Sequence, residues 1–224
     1  TSQYDNTGNI IEKNEQIDRD RTAKTEYTYD KLGNLVMVKS HLEGEKAQYV
    51  QYVYDIQGNK VRQFTGMTAP LTFTVSEVAD AAEDADTFSY AGKTWQITVS
   101  GKKKADTVAE TKYEYDGKNQ LIAFTDPEGR RESYTYDVNS NLTKTVDKNG
   151  NTQKSTYDYQ NRLTAMENRT GSAGVISRYS SEYLANGQKS KETLDTMDKN
   201  GKKSAKTATY TYDLLGRITK ETRT

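Results

Sequence analysis

Short runs of this chain alternate apolar and polar positions, and the apolar member is most often tyrosine. Tyr27 and Tyr29 alternate with Glu26, Thr28 and Asp30, and Tyr113 and Tyr115 with Lys112, Glu114 and Asp116. Tyr52 and Tyr54 flank Val53, Tyr134 and Tyr136 flank Thr135, and Tyr210 and Tyr212 flank Thr211. A period of two sends successive side chains to opposite faces of a strand, so these runs predict strands with one aromatic and one polar face. Just past each run stand Leu35 and Met37, Leu121 and Ala123, Leu142 and Lys144, or Ile218 and Lys220, where a returning strand would set them across from the tyrosines. Such cross-strand pairs contribute roughly 0.2–1 kcal/mol each, so one hairpin is not stable alone but a row of them is.

The runs are punctuated by two kinds of turn. The first begins with Tyr-Asp, at Tyr4-Asp5, Tyr29-Asp30, Tyr54-Asp55, Tyr115-Asp116, Tyr136-Asp137, Tyr157-Asp158 and Tyr212-Asp213, with Gly33, Gly58 and Gly216 in the clearest copies. The second is Asp126-Pro127-Glu128-Gly129, Asp147-Lys148-Asn149-Gly150 and Asp198-Lys199-Asn200-Gly201. Asp accepts from nearby backbone N–H groups, and Gly or Asn supplies the positive φ that closes a hairpin. Between residues 112 and 165 the two kinds alternate every 10 to 11 residues, leaving runs of ordinary strand length.

Self-similarity at such intervals marks an array, and residues 1–224 read as one, cut from a longer protein. The exception is the span of 61 residues between Tyr54 and Tyr115. There, 65–87 reads as an irregular insertion, its acidic, Ala-rich part from Val78 to Asp86 forming a loop or short helix. Tyr90-Ala91-Gly92-Lys93-Thr94-Trp95 reads as a degenerate copy of the unit, as does Tyr183-Leu184-Ala185-Asn186-Gly187.

Composition narrows the picture. Only 33% of the chain is apolar and its mean hydropathy is -0.99, which excludes a thick closed core, yet 17 Tyr and only 2 Pro argue for strands over disorder. A tyrosine buries an apolar ring while its hydroxyl keeps a polar partner, so stacked Tyr substitutes for Leu and Ile. Lys plus Arg equals Asp plus Glu at 32 each, which removes the footprint of a nucleic-acid binder. No apolar run approaches the roughly 18 residues of a membrane span. With no Cys there is no disulfide or thiol chemistry.

The repeated unit resembles the Rhs/YD-repeat family, whose pattern reads aromatic-x-Tyr-Asp-x-x-Gly-(Arg or Asn)-Leu. It is carried best by 27–35, 52–61, 113–121, 134–142 and 210–218, while Ser140, Asn119 and Asn161 fall where Gly is usual and leave the local turn type open. The resemblance implies a strip of antiparallel hairpins spiralling into a hollow shell. In the family such shells belong to bacterial polymorphic toxins, wall-associated proteins, insecticidal toxin complexes and teneurins, often enclose a C-terminal toxin, and have been credited with carbohydrate binding. Geometry also favours a curved strip: about 16 to 18 strands at about 4.8 Å spacing make a ribbon on the order of 80 Å long, too long to lie flat against strand twist.

The expected fold is therefore all-β, tandem antiparallel hairpins in one long, curved, twisted strip of the shell-segment type. The expected role is a non-catalytic wall that encloses or presents an effector domain of a large secreted or cell-surface bacterial protein. The alternative is a carbohydrate-binding or adhesion module, with Trp95 and Tyr90 as candidate glycan contacts. Expected partners are neighbouring repeats, the enclosed effector, glycans in the alternative reading, and a second copy through an open sheet edge. No cofactor, metal or nucleic acid is expected. His41 is the sole histidine and reads as a surface or strand-end residue. The Asp of each Tyr-Asp reads as a turn former, and Asp147-x-Asn149-x-Asn151 only faintly echoes a calcium loop. The Lys102-Lys103-Lys104 run reads as a solvated turn, and Asn141 and Asn168 open glycosylation sequons.

Overall fold

The computed structural model describes residues 1–82, 85–90, 92–101, 107–171, 174–198 and 201–224, and among them every regular element is a strand. The Lys102–Lys104 run, Lys199, Asn200 and the side chain of Tyr90 lie outside the described residues. The chain divides into two compact units, Thr1–Gly129 and Arg130–Thr224.

Unit 1 contains β1 (Ser2–Tyr4), β2 (Ile10–Gln16), β3 (Thr22–Tyr29), β4 (Leu35–Leu42), β5 (Gln48–Tyr54), β6 (Lys60–Met67), β7 (Thr72–Val78), β8 (Thr87–Tyr90), β9 (Lys93–Ser100), β10 (Ala109–Tyr115) and β11 (Leu121–Thr125). Strands β1 to β6 are antiparallel neighbours in chain order, followed by β10 and β11, while β7, β9 and β8 form a separate three-stranded sheet. Unit 2 contains β12 (Arg131–Tyr136), β13 (Leu142–Val146), β14 (Thr152–Tyr157), β15 (Leu163–Thr170), β16 (Gly174–Tyr183), β17 (Lys189–Met197), β18 (Lys203–Tyr212) and β19 (Ile218–Arg223), again antiparallel neighbours in chain order. The all-β, tandem-hairpin reading is borne out.

The cross-strand partners differ in one respect from simple alternation. Each Tyr of a Tyr-Asp pair faces the residue six positions on, as in Tyr29 opposite Leu35, Tyr115 opposite Leu121, Tyr136 opposite Leu142, Tyr157 opposite Leu163 and Tyr212 opposite Ile218. A β-bulge immediately before that Tyr then shifts the register by one. Tyr27 consequently faces Val38 and not Met37, and Tyr113 faces Phe124 and not Ala123, the Tyr113 and Phe124 ring centroids lying 6.3 Å apart. The bulge absorbs the extra residue required by the turn and adds local twist.

The stretch between β6 and β10 carries strands on either side of the acidic, Ala-rich part, whose described residues 79–82 and 85–86 form a loop. Residues 65–87 include β7, and 90–95 do not form a copy of the row: they lie in the β8–β9 hairpin, where Phe88 pairs with Trp95 and Tyr90 with Lys93. The reason is hydrophobic burial. Leu71, Phe88 and Ile97 join Val53, Val61, Phe64 and Met67 in one buried cluster, with Phe73, Trp95, Val99, Tyr49 and Val108 packed against it. Strand β10 then pairs directly with β6, setting Lys112 opposite Arg62 and Ala109 opposite Thr65. The chain returns so close at this point that a Cβ on Gly66 would run into the Thr107 carbonyl oxygen, so only glycine fits there.

Candidate functional site

The repeated residues form two interlocking devices. In the first, the aspartate cages its own turn. The Asp30 N–H donates to the Asn34 carbonyl (2.9 Å) and the Gly33 N–H to the Asp30 carbonyl (3.1 Å). The Asp30 carboxylate in turn accepts from the Leu32 and Asn34 N–H groups and from the Asn34 side-chain amide, each at 2.9 Å. Asp5, Asp55, Asp137 and Asp147 repeat this arrangement with Asn9, Asn59, Asn141 and Asn151. At Asp158 and Asp213 an arginine, Arg162 or Arg217, replaces the Asn, its Nε 2.7 Å from the carboxylate. Asp116 accepts from the Lys118 and Gln120 N–H groups.

The donors also set the acidity of these groups. The Thr7 hydroxyl, with the Asn9 backbone and side chain, holds the Asp5 carboxyl down at about 2. At Asp30 burial opposes, but hydrogen bonds from Asn34 and Leu32 outweigh it and keep the carboxyl below its ordinary range. The Asp147 carboxylate is engaged by Asn149 and Asn151 within its own turn, which accounts for the calcium-like spacing without an ion.

Positions where the expected glycine is missing keep the same turn. Asn119, Ser140 and Asn161 take φ values of 61°, 70° and 60° and make the same N–H to Asp carbonyl bond that Gly33 makes. Leu184 stands in place of Asp in the degenerate copy, and the backbone bonds of the turn persist there too, with the Asn186 side chain accepting from the Gln188 N–H.

The second device links one hairpin to the one before. Tyr29 Oη donates to the Ile10 carbonyl (3.0 Å), Tyr54 to Leu35 (2.9 Å), Tyr157 to Leu142 (3.1 Å), Tyr183 to Leu163 (2.9 Å) and Tyr212 to Lys189 (2.7 Å). Each acceptor is the residue opposite the preceding unit's own Tyr, next to the residue that the bulge leaves unpaired. One side chain thus buries a ring and satisfies a neighbour's backbone.

Two charged clusters are added to these devices. In unit 2, the Glu192 carboxylate accepts from Lys189 (2.8 Å), Tyr210 (2.8 Å) and Tyr179 (3.1 Å). The Lys189 bond, then that of Tyr210, brings Glu192 down to about 2, and the bonds to Glu192 and then Tyr179 raise Lys189. In unit 1, Arg62 of β6 is only 2% exposed and forks onto Asp86, which comes from the segment leading into β8, with Nη2 at 2.6 Å and Nε at 3.2 Å from both oxygens. Lys112 of β10 reaches the same Asp86 oxygen at 2.8 Å, and Arg62 also donates to the Thr87 and Val61 carbonyls. Burial opposes the charge on Asp86, but Arg62 and Lys112 hold its carboxyl down. Glu110 lies beside them, 3.3 Å from Arg62 and 3.9 Å from Lys112; burial first, and then the Asp86 charge, push its carboxyl up. Its Oε1 makes the 3.3 Å approach without hydrogen-bond alignment, so charge alone pairs it. Asp86, Arg62 and Lys112 line a cavity of about 320 Å³ together with Phe88, Tyr113 and Tyr115.

Trp95 is half-buried on the apolar cluster of unit 1, its indole N–H enclosed without a partner. His41 sits near the end of β4 opposite Lys24. The side-chain amides of both sequon asparagines are engaged, Asn141 with Asp137 and Asn161, and Asn168 with Ser177. Among the described residues no group of three or more His, Cys, Asp or Glu side chains is placed to hold a metal ion, and no helix is long and apolar enough to cross a membrane.

A model of the RHS Repeat family matches residues 115–152, which bears out the resemblance carried by the Tyr-Asp units. No curated protein is a significant match to the chain. Among solved structures, the Tc holotoxin pore of Photorhabdus luminescens is similar at 15% identity and a TM-score of 0.28, over 99% of this chain and 16% of that one. The TcdB2-TccC3 crystal structure is similar at 14% identity and a TM-score of 0.26, over 100% and 16%. The chain thus spans about a sixth of the length of these proteins, and at such scores the likeness adds nothing to the fold described above.

Proposed function

We propose that this RHS/YD-repeat chain is a length of structural wall, contributing tandem hairpins to a larger secreted or surface-delivered bacterial protein that encloses or presents an effector domain. The observation that carries this reading is the employment of the repeated side chains. The Asp carboxylates are engaged in their own turns, and five of the Tyr hydroxyls hold the preceding hairpin. Groups so occupied build and link hairpins; they are not presented to a substrate. The wall role, the effector and the extracellular setting are parts of the proposal, suggested by the Tyr-Asp repeat itself.

The test is protease protection. In the full-length parent protein, the effector domain should resist digestion while the repeat wall is intact and become sensitive when consecutive linking tyrosines are replaced by phenylalanine. Equal digestion with and without the intact wall overturns the reading. A glycan-binding role is the competing function, and glycan-array screening with calorimetry separates the two: a wall segment gives no selective binding, whereas an adhesion module selects particular sugars.

A further inference from the structure

The Arg62, Asp86, Glu110 and Lys112 cluster is not needed by the repeats. It joins three separate elements, with Lys112 and Glu110 two residues apart on one face of β10, Arg62 directly opposite Lys112 on β6, and Asp86 brought in by the inserted sheet. A primary amine lies 2.8 Å from a carboxylate oxygen, with a second carboxylate 3.9 Å from the same amine. The site is walled by Val61 at 2% and Phe88 at 9% exposure. From this arrangement we propose that Lys112 and Asp86 condense into an intramolecular amide, a covalent strut between the inserted sheet and β10, with Glu110 carrying the proton.

The step balances without any co-reactant. The Lys112 ammonium passes one proton to the Glu110 carboxylate, the Glu110 acid shares that proton with an Asp86 oxygen so that Asp86 reacts as a neutral acid, and the neutral Nζ attacks Asp86 Cγ. The tetrahedral oxyanion that develops lies under the Arg62 guanidinium, whose Nε and Nη2 already point at both Asp86 oxygens. The C–N bond is kept as one C–O bond breaks. The leaving oxygen takes the proton from Glu110 and a second from the nitrogen and departs as water. The amide retains one N–H, Glu110 returns to carboxylate, and the charges of Lys112 and Asp86 disappear together. No electrons change hands.

The surroundings favour this chemistry. Fixed donor and acceptor geometry replaces a bimolecular encounter. The same burial and Asp86 charge that push the Glu110 carboxyl up make it a better proton acceptor. The chain contains no Cys, so a disulfide cannot staple the insertion, whereas an amide between positions 86 and 112 would close that loop permanently.

Intact-mass spectrometry of the purified, denatured chain tests the proposal. The expected mass is about 18 Da below that of the sequence, with Lys112 and Asp86 recovered in one branched peptide after digestion. Lys112→Arg, which keeps the charge, should restore the full sequence mass. Asp86→Asn should lose ammonia in place of water, a deficit of about 17 Da. Glu110→Gln should stay at its sequence mass while circular dichroism shows the β-fold retained. A folded wild-type chain at full sequence mass after prolonged incubation overturns the proposal, and so does a water loss that persists in Lys112→Arg.

Discussion

Where the β7–β9–β8 sheet covers β5 and β6, Phe64 and Met67 are wholly removed from solvent and Val61 nearly so; in unit 2, the only buried residues among those described are Ser181 and Ala208, and neither is as fully enclosed. Both regions are made of the same tyrosine-bearing hairpins, so the difference isolates what the hairpins supply by themselves. In unit 2 the apolar rows stay half-exposed, and order rests on pairing between successive strands and on hydroxyl links such as those of Tyr157, Tyr183 and Tyr212. In unit 1 the insertion adds a second layer and with it a true inside. Such a row behaves as a sum of units and nearest-neighbour interfaces, whereas the covered segment behaves as a small two-layer domain.

The comparison is broken most severely by emptying the covered core. Phe64→Ala removes a ring stacked on Phe73 at a 5.0 Å centroid distance, and should cost about 3–5 kcal/mol by chemical denaturation. Hydrogen exchange should place that loss in β5–β9. No residue of unit 2 is predicted to give as large an effect on truncation.

Backbone strain at a turn comes next. Gly150, at φ 78°, should lose about 1–2 kcal/mol on change to alanine, read from the shift in denaturation midpoint. Removing a single link by Tyr157→Phe or Tyr212→Phe keeps the ring and loses one hydroxyl bond to a backbone carbonyl. The expected cost is about 0.5–1.5 kcal/mol, similar at each site because the geometry repeats.

Acid sharpens the contrast further. Glu192, held at about 2 by Lys189 and Tyr210, has a folded pKa below its unfolded value. Its contribution is therefore complete above the ordinary glutamate range and is lost as pH falls from about 4.5 to about 2. After allowance for solvent screening the effect is about 1 kcal/mol. Glu192→Gln should flatten that part of the stability–pH curve, measured by urea denaturation across the window. The smallest effect is expected at Ser140, a non-glycine residue at φ 70°, where Ser140→Gly should stabilise by about 0.5 kcal/mol.

Much of the row is legible in the sequence because its code is local. Tyr-Asp, the glycine three residues later and the period-two runs all act within a single hairpin, and β3, β5, β10, β12 and β18 fall where the tyrosine alternation puts them. The bulge is not legible, because it exchanges partners by one position without altering composition, and only the constant six-residue step from each Tyr to its partner hints at it. The inserted sheet is missed for a different reason. It falls in the span that reads as an irregular insertion and a degenerate copy, and the face that buries Leu71, Phe88 and Ile97 has meaning only beside Val53, Val61 and Phe64. The Arg62 cluster is the least visible of all. The hydrogen bonds of Asp86 to Arg62 and to Lys112 span 24 and 26 residues, and no spacing rule connects such groups. The one local sign is an arginine standing among Val61, Phe64 and Met67.

The central claim is that consecutive hairpins of unit 2 hold one another through their linking tyrosines, so that length along the row does the work of a core. Hydrogen exchange of Tyr183→Phe against wild type tests it most directly, because Tyr183 ties β16 to the Leu163 carbonyl of β15. The account predicts faster exchange concentrated in β15, β16 and their immediate neighbours, fading with distance along the row, and unchanged protection in β5 and β6. Uniform loss of protection across the chain, or none in β15 and β16, would contradict it.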